Sequence, residues 1–521
     1  MYSAFPSFYR LLNQHRFSYP LQEAVVCGDT RLSFGELYDR VNRVANAMAA
    51  LGVTESSRIL WLGQNSHALL EIFLACSRLG ASFCLVNWRQ SAAEIAFVLR
   101  DFDPALVFWQ EMEFAPTVSD AKIQAPGLAS HWISLDGQGS DGYRQLLADA
   151  SPEGTDTPAA PDTGRALLVL YTGAFGGQPN GAQISEPGLF LQSLVHVNVF
   201  EATSDTKTLV SAPTFHITSW LDMLPTFIAG GTLCFARSTD AGEILDLIGS
   251  ERLTNGTVQP PTAKKIAELN ADGSHDLSCF RSPLTIPGWT EMTSRGPGIS
   301  GTGQTEVVGP VIVGAFAGEG STPFCGRPAP MVEAKVVDDT GAMVGAGEVG
   351  ELVIRGPVAG LGYWNRPELN AERLSADGWW HTRDLARRDR DGTISFVGPK
   401  SQMVKSGGEN VYAAEVENVL KTHPAVTNAA IIGTPDADWG QLVTAVVVTK
   451  PDLNVTVEEL QEFVRSRIAR YKTPRIIHFA PELPLNAFAI DYKALDREFG
   501  GGGYPGEEQK NGSNIGATVR K

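Results

Sequence analysis

Short apolar runs alternate with longer amphipathic stretches through the first half of the chain. AVVCGD, from residue 24, predicts a strand. Ser33 to Leu51, with Leu37, Val41, Val44, Ala45 and Met48 recurring at helical spacing, predicts a helix with one apolar face. Ser33 followed by Glu36 is a capping box that fixes where this helix starts. Strand Arg58 to Leu62, helix Ala68 to Leu79, strand Ser82 to Val86, helix Ala92 to Phe102 and strand Ala105 to Trp109 continue the alternation. Strand followed regularly by helix predicts a parallel sheet covered on both faces.

Residues 136–165 are rich in Gly, Pro, Ser and Asp and read as a surface connection. Beyond it the alternation resumes with helix Gly188 to Val199, strand Lys207 to Ser211, a loop APTFHITSW and helix Leu221 to Ala229. Strand Gly256 to Gln259 and helix Thr262 to Leu269 follow. From Phe324 to Gly398 the pattern changes to short strands separated by D-D-T-G, G-A-G-E and D-R-D-G turns. The last part, with strand Thr444 to Thr449 and helix Val457 to Arg470, predicts a small α+β unit.

A chain of 521 residues exceeds one hydrophobic core, so more than one domain is expected. With 43% hydrophobic and 19% charged residues the composition is that of a globular enzyme. The formal net charge of -16 opposes long-range attraction to nucleic acid or an anionic membrane. Cys27, Cys76, Cys84, Cys234, Cys279 and Cys325 are scattered without a C-x-x-C, which indicates neither a zinc site nor a disulfide framework. The N-terminus lacks the pattern of a secretory signal, and the longest apolar stretch, Ala68 to Val86, is broken by Glu71, Arg78 and Gly80. No transmembrane segment and a cytoplasmic location are expected.

The chemistry centres on LLVLYTGAFGGQPNGAQIS, residues 167–185. A buried strand running straight into a glycine-rich turn presents backbone N–H groups that wrap an anion, although the same composition also makes ordinary turns. The stretch Y-T-G-A-F-G-G-Q-P-N-G resembles the phosphate loop of the adenylate-forming superfamily, which includes acyl-CoA synthetases, luciferases and peptide-synthetase adenylation domains. Tyr171, Thr172, Gly177, Pro179 and Gly181 match the usual Y-T-S-G-T-T-G-x-P-K-G, while Asn180 stands in the place of its lysine.

Further motifs follow in the family's order. P-T-F-H resembles the segment whose aromatic and His lie near the acyl pocket, and G-T-G-Q-T-E, Gly301 to Glu306, resembles Y-G-x-T-E. G-W-W-H-T-R-D resembles the segment whose Asp, here Asp384, bonds the ribose hydroxyls, with Arg383 in place of a glycine. Gly398 to Lys400 falls at the family's hinge, and Lys405, Gly407, Gly408, Glu409 and Glu415 match the lid motif. In P-L-N-A-F-A-I-D-Y-K, Ile490 occupies the position of the lysine that reaches the active site during adenylation. Asn87 and Arg89 match residue types usual in the family and read as structural residues that stitch a loop.

The resemblance implies an α/β fold: a large N-terminal domain of parallel sheets with helices plus a distorted β-barrel, residues 1–397, and a small α+β lid domain, residues 398–500. Residues 501–521 are expected to be a flexible tail. It implies an ATP-dependent acyl-CoA synthetase that converts a small-molecule carboxylic acid to acyl-AMP and then acyl-CoA, with ATP, Mg2+ and coenzyme A as cofactors. No nucleic-acid partner is expected, and a homodimer is left open. Thr172, Glu306 and Lys405 are the implied catalytic residues, Glu306 also the metal ligand. Gly177, Gly181, Gly301, Thr302, Gly303, Gln304, Thr305, Asp384, Gly407 and Gly408 are the implied cofactor-binding residues, and His216, Trp220, Gly288 and Trp289 the implied acid-binding residues. The apolar side chains of Phe175, Phe215, Trp220 and Trp289 suggest a hydrophobic acid. Lys493, Lys400, Arg383 and Lys405 are the candidate replacements for the missing positive charge. With the two lysines absent, two alternatives stay open: a protein that performs only the thioester half-reaction, and one that binds acyl-CoA or AMP without catalysis.

Overall fold

A computed structural model of the chain describes residues 6–128, 131–137, 142–155, 158–172, 179–296, 301–314, 325–338, 340–399, 403–451, 453–486 and 489–502. The expected tail beyond residue 502 lies outside the described residues, as do Lys400, Phe175 and Gly177.

The large domain holds two mainly parallel sheets. One runs in the order His131–Ser134, Leu106–Trp109, Arg58–Leu62, Ser82–Leu85, Ala166–Thr172 and Asn180–Ser185. Its last strand is antiparallel, with Thr172 opposite Asn180 and Tyr171 opposite Gly181, so the glycine-rich stretch joins a hairpin at the sheet edge. The sheet buries Trp61, Phe83 and Phe108 on one face and Leu60, Val107 and Trp109 on the other, as strands between two helical layers must. Capping boxes at Ser33–Glu36 and Ser91–Glu94 start the helices Phe34–Ala50 and Ala92–Phe102, the second of which covers this sheet through Ile95, Val98 and Leu99.

The second sheet runs Asn255–Gly256, Lys207–Val210, Thr232–Phe235, Glu23–Cys27 and Thr30–Ser33. Its fourth strand comes from the start of the chain and pairs in parallel with Thr232–Phe235, far along the sequence. The alternation of strand and helix is therefore divided between two sheets, because an apolar strand buried on both faces carries no mark of which neighbour it will join.

A mainly antiparallel module follows, in the order Gly301–Gln304, Gly309–Val313, Cys325–Pro328, Ile394–Pro399, Trp380–Arg388, Val349–Arg355 and Glu333–Val337. The small C-terminal domain orders Glu409–Tyr412, Met403–Ser406, Gly440–Thr449 and Val426–Asp436, with Ile476–Phe479 added in parallel to the long strand Gly440–Thr449. Helices Ala413–Lys421 and Val457–Arg465 cover it around its own core of Val404, Val416, Leu420, Ile431 and Leu460. None of the described helices is long and apolar enough to cross a membrane. No disulfide is formed among the described residues, and Cys76, Cys84, Cys234 and Cys325 are buried.

Candidate active site between the two domains

One wall of the site is built where the parallel sheet meets the antiparallel module. Thr172 ends its strand, and its Oγ1 donates to Oε1 of Glu306 at 3.3 Å. Glu306 sits in the short 3-10 helix Thr305–Val307 and receives a second, shorter bond from the Tyr363 hydroxyl at 2.7 Å. Both bonds fall on Oε1, and Oε2 takes part in neither. One buried carboxylate with an uncommitted oxygen suits Mg2+, which keeps several waters and takes its remaining ligands from a substrate's phosphates. No group of three or more potential metal-ligating side chains exists among the described residues, so an ion here would depend on the nucleotide.

Gln304 places the next carboxylate. Its Oε1 accepts from Trp380 Nε1 at 3.0 Å and from Arg373 at 3.2 Å, and both are obligate donors. The amide orientation is thereby fixed, and Nε2 donates to Asp384 Oδ2 at 3.1 Å and to the Thr382 carbonyl at 2.9 Å. Burial raises the Asp384 pKa to about 7; the Gln304 bond opposes this and the Glu306 charge adds to it. Gly301 and Gly303 are dictated by backbone approach, since a Cβ on either would run into the carbonyl oxygens of Ile312 and Gly309 on the neighbouring strand. Thr302 is buried between them and Thr305 is half-buried. Gly181 packs its α-carbon against the Tyr171 ring in the opposing strand, where a Cβ would stand 3.1 Å from ring carbon Cζ.

The small domain supplies the facing wall. Lys405 is exposed and lies within electrostatic reach of Asp384 in the large domain. Desolvation lowers its pKa, and the Asp384 charge opposes that shift. Gly407 and Gly408 both have left-handed φ, +59° and +83°. A Cβ on Gly407 would come 2.5 Å from the Trp439 ring, and the position of a Cβ on Gly408 is 3.3 Å from Gln259 Oε1 of the large domain. Glu409 reaches across the cleft, with Oε2 3.0 Å from His216 Nε2 and Oε1 2.6 Å from the Arg89 guanidinium. Burial opposes its ionisation, but His216, Arg89 and Lys472 outweigh burial and hold its pKa below the ordinary value.

Asn87 and Arg89 thus serve the domain interface: Asn87 donates to the Tyr471 hydroxyl at 3.4 Å and holds the Arg89 N–H at 3.0 Å. Behind them Lys472, buried, bonds Glu94 of the large domain at 3.0 Å and Glu415 of the small one at 2.5 Å.

Two of the implied acid-binding residues are corrected by their burial. The helix begins at Ile217, earlier than the sequence pattern suggests, with His216 as its N-terminal cap, and this turns Trp220 inward. Trp220 is fully buried, its ring 4.6 Å from Phe73 and its Nε1 bonded to the Thr214 carbonyl. Trp289 is fully buried in a separate helical core, against Phe280 and bonded to Ser282 Oγ at 2.9 Å. Both are core anchors with no surface for a ligand. Gly288, half-exposed with φ +81°, caps the short helix that carries Trp289.

The positions of the missing cations are filled otherwise. Asn180 is buried, and its Oδ1 accepts from Arg366 Nε at 3.0 Å, while Arg366 also pairs with Asp101 at 2.8 Å. Ile490 packs on the flank of the small domain beside Ile432, Val446 and Leu495. Lys493 is exposed on the helix Tyr492–Phe499. The Arg383 guanidinium lies 3.9 Å from Glu372, and its own backbone has φ +61°, the left-handed conformation a glycine would take freely. Sequence reasoning gave no role to Tyr363, Gln259, Trp439 or Arg475. Trp439 is partly exposed with the Arg475 guanidinium 3.8 Å above its ring, beside Gly407.

Residues 13–364 match the AMP-binding enzyme family and residues 415–488 match the AMP-binding enzyme C-terminal domain. The chain is 34% identical over 475 residues to a feruloyl-CoA synthase of Amycolatopsis sp, covering 89% of this chain and 93% of that protein. It is 32% identical over 493 residues to an indoleacetate–CoA ligase of Aromatoleum aromaticum, covering 91% and 94%. Among solved structures, o-succinylbenzoate CoA synthetase from Bacillus subtilis, bound with a product analogue, superposes with a TM-score of 0.77 at 24% identity over 94% of this chain and 98% of that one. A fatty acyl CoA synthetase of Mycobacterium tuberculosis gives 0.67 at 25% identity, covering 95% and 98%. The chain belongs to the AMP-binding enzymes of the adenylate-forming superfamily, on the acyl-CoA synthetase branch, and is an acid–thiol ligase.

Proposed function

We propose that the chain joins a hydrophobic, aryl-bearing carboxylic acid to coenzyme A through an acyl-adenylate, with Mg2+ held at Glu306. The observation that carries this reading is the convergence of Thr172, Glu306, Gln304 and Asp384 on one wall, opposite Lys405 and the Gly407–Gly408 turn. A fixed carboxylate such as Asp384 accepts two vicinal hydroxyls of a ribose, and Thr172 stands where a phosphate would emerge from the hairpin. Arg475 on Trp439 offers stacking and a positive charge to the nucleotide end of coenzyme A. The aryl preference draws on the relatives that act on feruloyl and indoleacetate groups and on Phe215, whose ring lies between His216 and Arg89.

The test is acid-dependent release of AMP and formation of a CoA thioester across a panel of aryl and alkyl acids, with and without Mg2+. Asp384→Ala and Glu306→Ala are expected to lower kcat/KM at least a hundredfold while the protein still folds. No acid-dependent AMP release from any member of the panel overturns the reading.

A second reading, the thioester half-reaction alone, is favoured by a specific observation: neither Asn180 nor Ile490 brings a cation to the cleft. One lysine beside a phosphate oxygen is worth at most about 4 kcal/mol at an effective dielectric near 20, on the order of a thousandfold in rate. Turnover of synthetic acyl-AMP with coenzyme A, without ATP–pyrophosphate exchange, would establish this second reading.

A further inference from the structure

Asn180 is itself neutral, and the charge beside it comes from Arg366, far along the chain. Residues 361–364 lie against the strand Asn180–Ser185. The Leu361 N–H donates to the Gln183 carbonyl at 3.0 Å, the Trp364 N–H to the Gly181 carbonyl at 2.8 Å, and Tyr363 pairs with Ala182. Tyr363 thereby meets Glu306, and Arg366, three residues on, meets the first residue of the strand. Asn180 stands directly opposite Thr172 in the hairpin, with about 5 Å between paired α-carbons in such a ladder.

The guanidinium is held in one orientation. Its Nη1 donates to Asp101 Oδ1 at 2.8 Å and to the Asn365 carbonyl at 3.0 Å, which occupies both hydrogens of that nitrogen. Asp101 is fixed in turn by the Tyr171 hydroxyl, which donates to its Oδ2 at 2.7 Å. Nε donates to Asn180 Oδ1 at 3.0 Å, and because Nε–H can only donate, the amide is set with Nδ2 turned away from Arg366. Arg366 Nη2, on the same edge of the guanidinium as Nε, makes no bond among the described residues. Neither does Asn180 Nδ2, and neither nitrogen is sealed from solvent.

An ion pair between Arg366 and Asp101 needs no amide beside it. Asn180 adds a second donor next to the guanidinium, already oriented and close to Thr172, which suits an anion with several oxygens. A lysine at position 180 would press its ammonium against that guanidinium; the amide removes the repulsion and leaves the charge to Arg366. Resting on the ligase reading above and deepening it, we infer that Arg366 and Asn180 together hold the β- and γ-phosphates of ATP, the part that departs as pyrophosphate. Asn180 Nδ2 and Arg366 Nη2 donate to the phosphate oxygens, and Arg366 is also the positioning residue for the Asn180 amide.

The experiment measures binding of AMP and of α,β-methylene-ATP, which resists cleavage, to the full chain with Mg2+ by calorimetry. The readout is the ratio of the two dissociation constants, which a general loss of fold does not move. The parent is expected to bind methylene-ATP more tightly than AMP, and Arg366→Met to weaken methylene-ATP relative to AMP by about tenfold or more. Asn180→Asp, of nearly unchanged volume, gives Arg366 a carboxylate and so keeps the fold; its negative charge should produce the same selective loss. Arg366→Lys keeps the ion pair with Asp101 without the fork and should show a smaller loss of the same kind. A ratio unmoved in any of these variants that folds, or a parent that binds methylene-ATP no more tightly than AMP, overturns the inference. Acid-dependent AMP release is measured on the same parent protein. Its absence, together with a ratio that the variants shift as expected, overturns the ligase reading and sustains the inference.

Discussion

If the proposed function holds, Asp384 governs the pH response of nucleotide binding. Its pKa of about 7 is raised first by burial, against the Gln304 bond and with the help of the Glu306 charge. Only the ionised form offers two acceptors to a ribose, so AMP affinity should fall about tenfold for each pH unit below 7 and level off above pH 8. Calorimetric titration of AMP between pH 5.5 and 8.5 checks this, and Asp384→Asn should flatten the profile. Trp220 makes the opposite kind of prediction. As a core anchor, Trp220→Ala should destabilise the fold by about 3–5 kcal/mol, seen in denaturant melts, and leave the rank order of accepted acids unchanged. Asp384 and Glu306 stood out in the sequence because each belongs to a motif of fixed spacing, and the structure sets them beside Gln304 and Thr172. The burial of Trp220 and Trp289 was not legible there, since an indole fills a core as well as it lines a pocket and its type carries no direction.

Helix starts were the most legible elements. Ser33–Glu36 announced its boundary because a capping box leaves a reciprocal signature in the sequence, and the Ser91–Glu94 box follows the same rule. The start at Ile217 was misplaced because the His216 side chain makes no capping bond, leaving no such signature. The glycine pair of the small domain shows how an element's shape limits substitution. Gly407 has φ +59° and faces the Trp439 ring, so Gly407→Ala imposes about 1 kcal/mol of backbone strain in addition to a steric conflict. We expect Gly407→Ala to lower coenzyme-A-dependent turnover at least tenfold and to change ATP–pyrophosphate exchange less; running both assays on one preparation separates the effects. Arg383 already tolerates such a conformation without being glycine, with its N–H held by Glu351 at 3.1 Å. Arg383→Gly should therefore leave stability within about 1 kcal/mol of the parent, checked by thermal melting.

At the scale of the whole molecule, charged residues join the two domains through a largely buried seam. Lys472 lies between Glu94 and Glu415, and Glu409 between Arg89 and His216. Lys472→Met leaves two buried carboxylates without their cation and should cost about 3–5 kcal/mol, measured by chemical denaturation, while small-angle scattering reports a larger radius of gyration. None of these pairings could be read from the sequence, because their members stand from 57 to 378 residues apart and each alone resembles a solvated surface charge. The seam also governs how the protein responds to warmth. Any parting of the domains must return Lys472, Glu94 and Glu415 to water together, and the hydration of ions becomes less favourable as temperature rises. Heating therefore strengthens this joint relative to the apolar packing around it. Release of a bound thioester, if it requires that parting, should accelerate less steeply with temperature than the chemistry that precedes it.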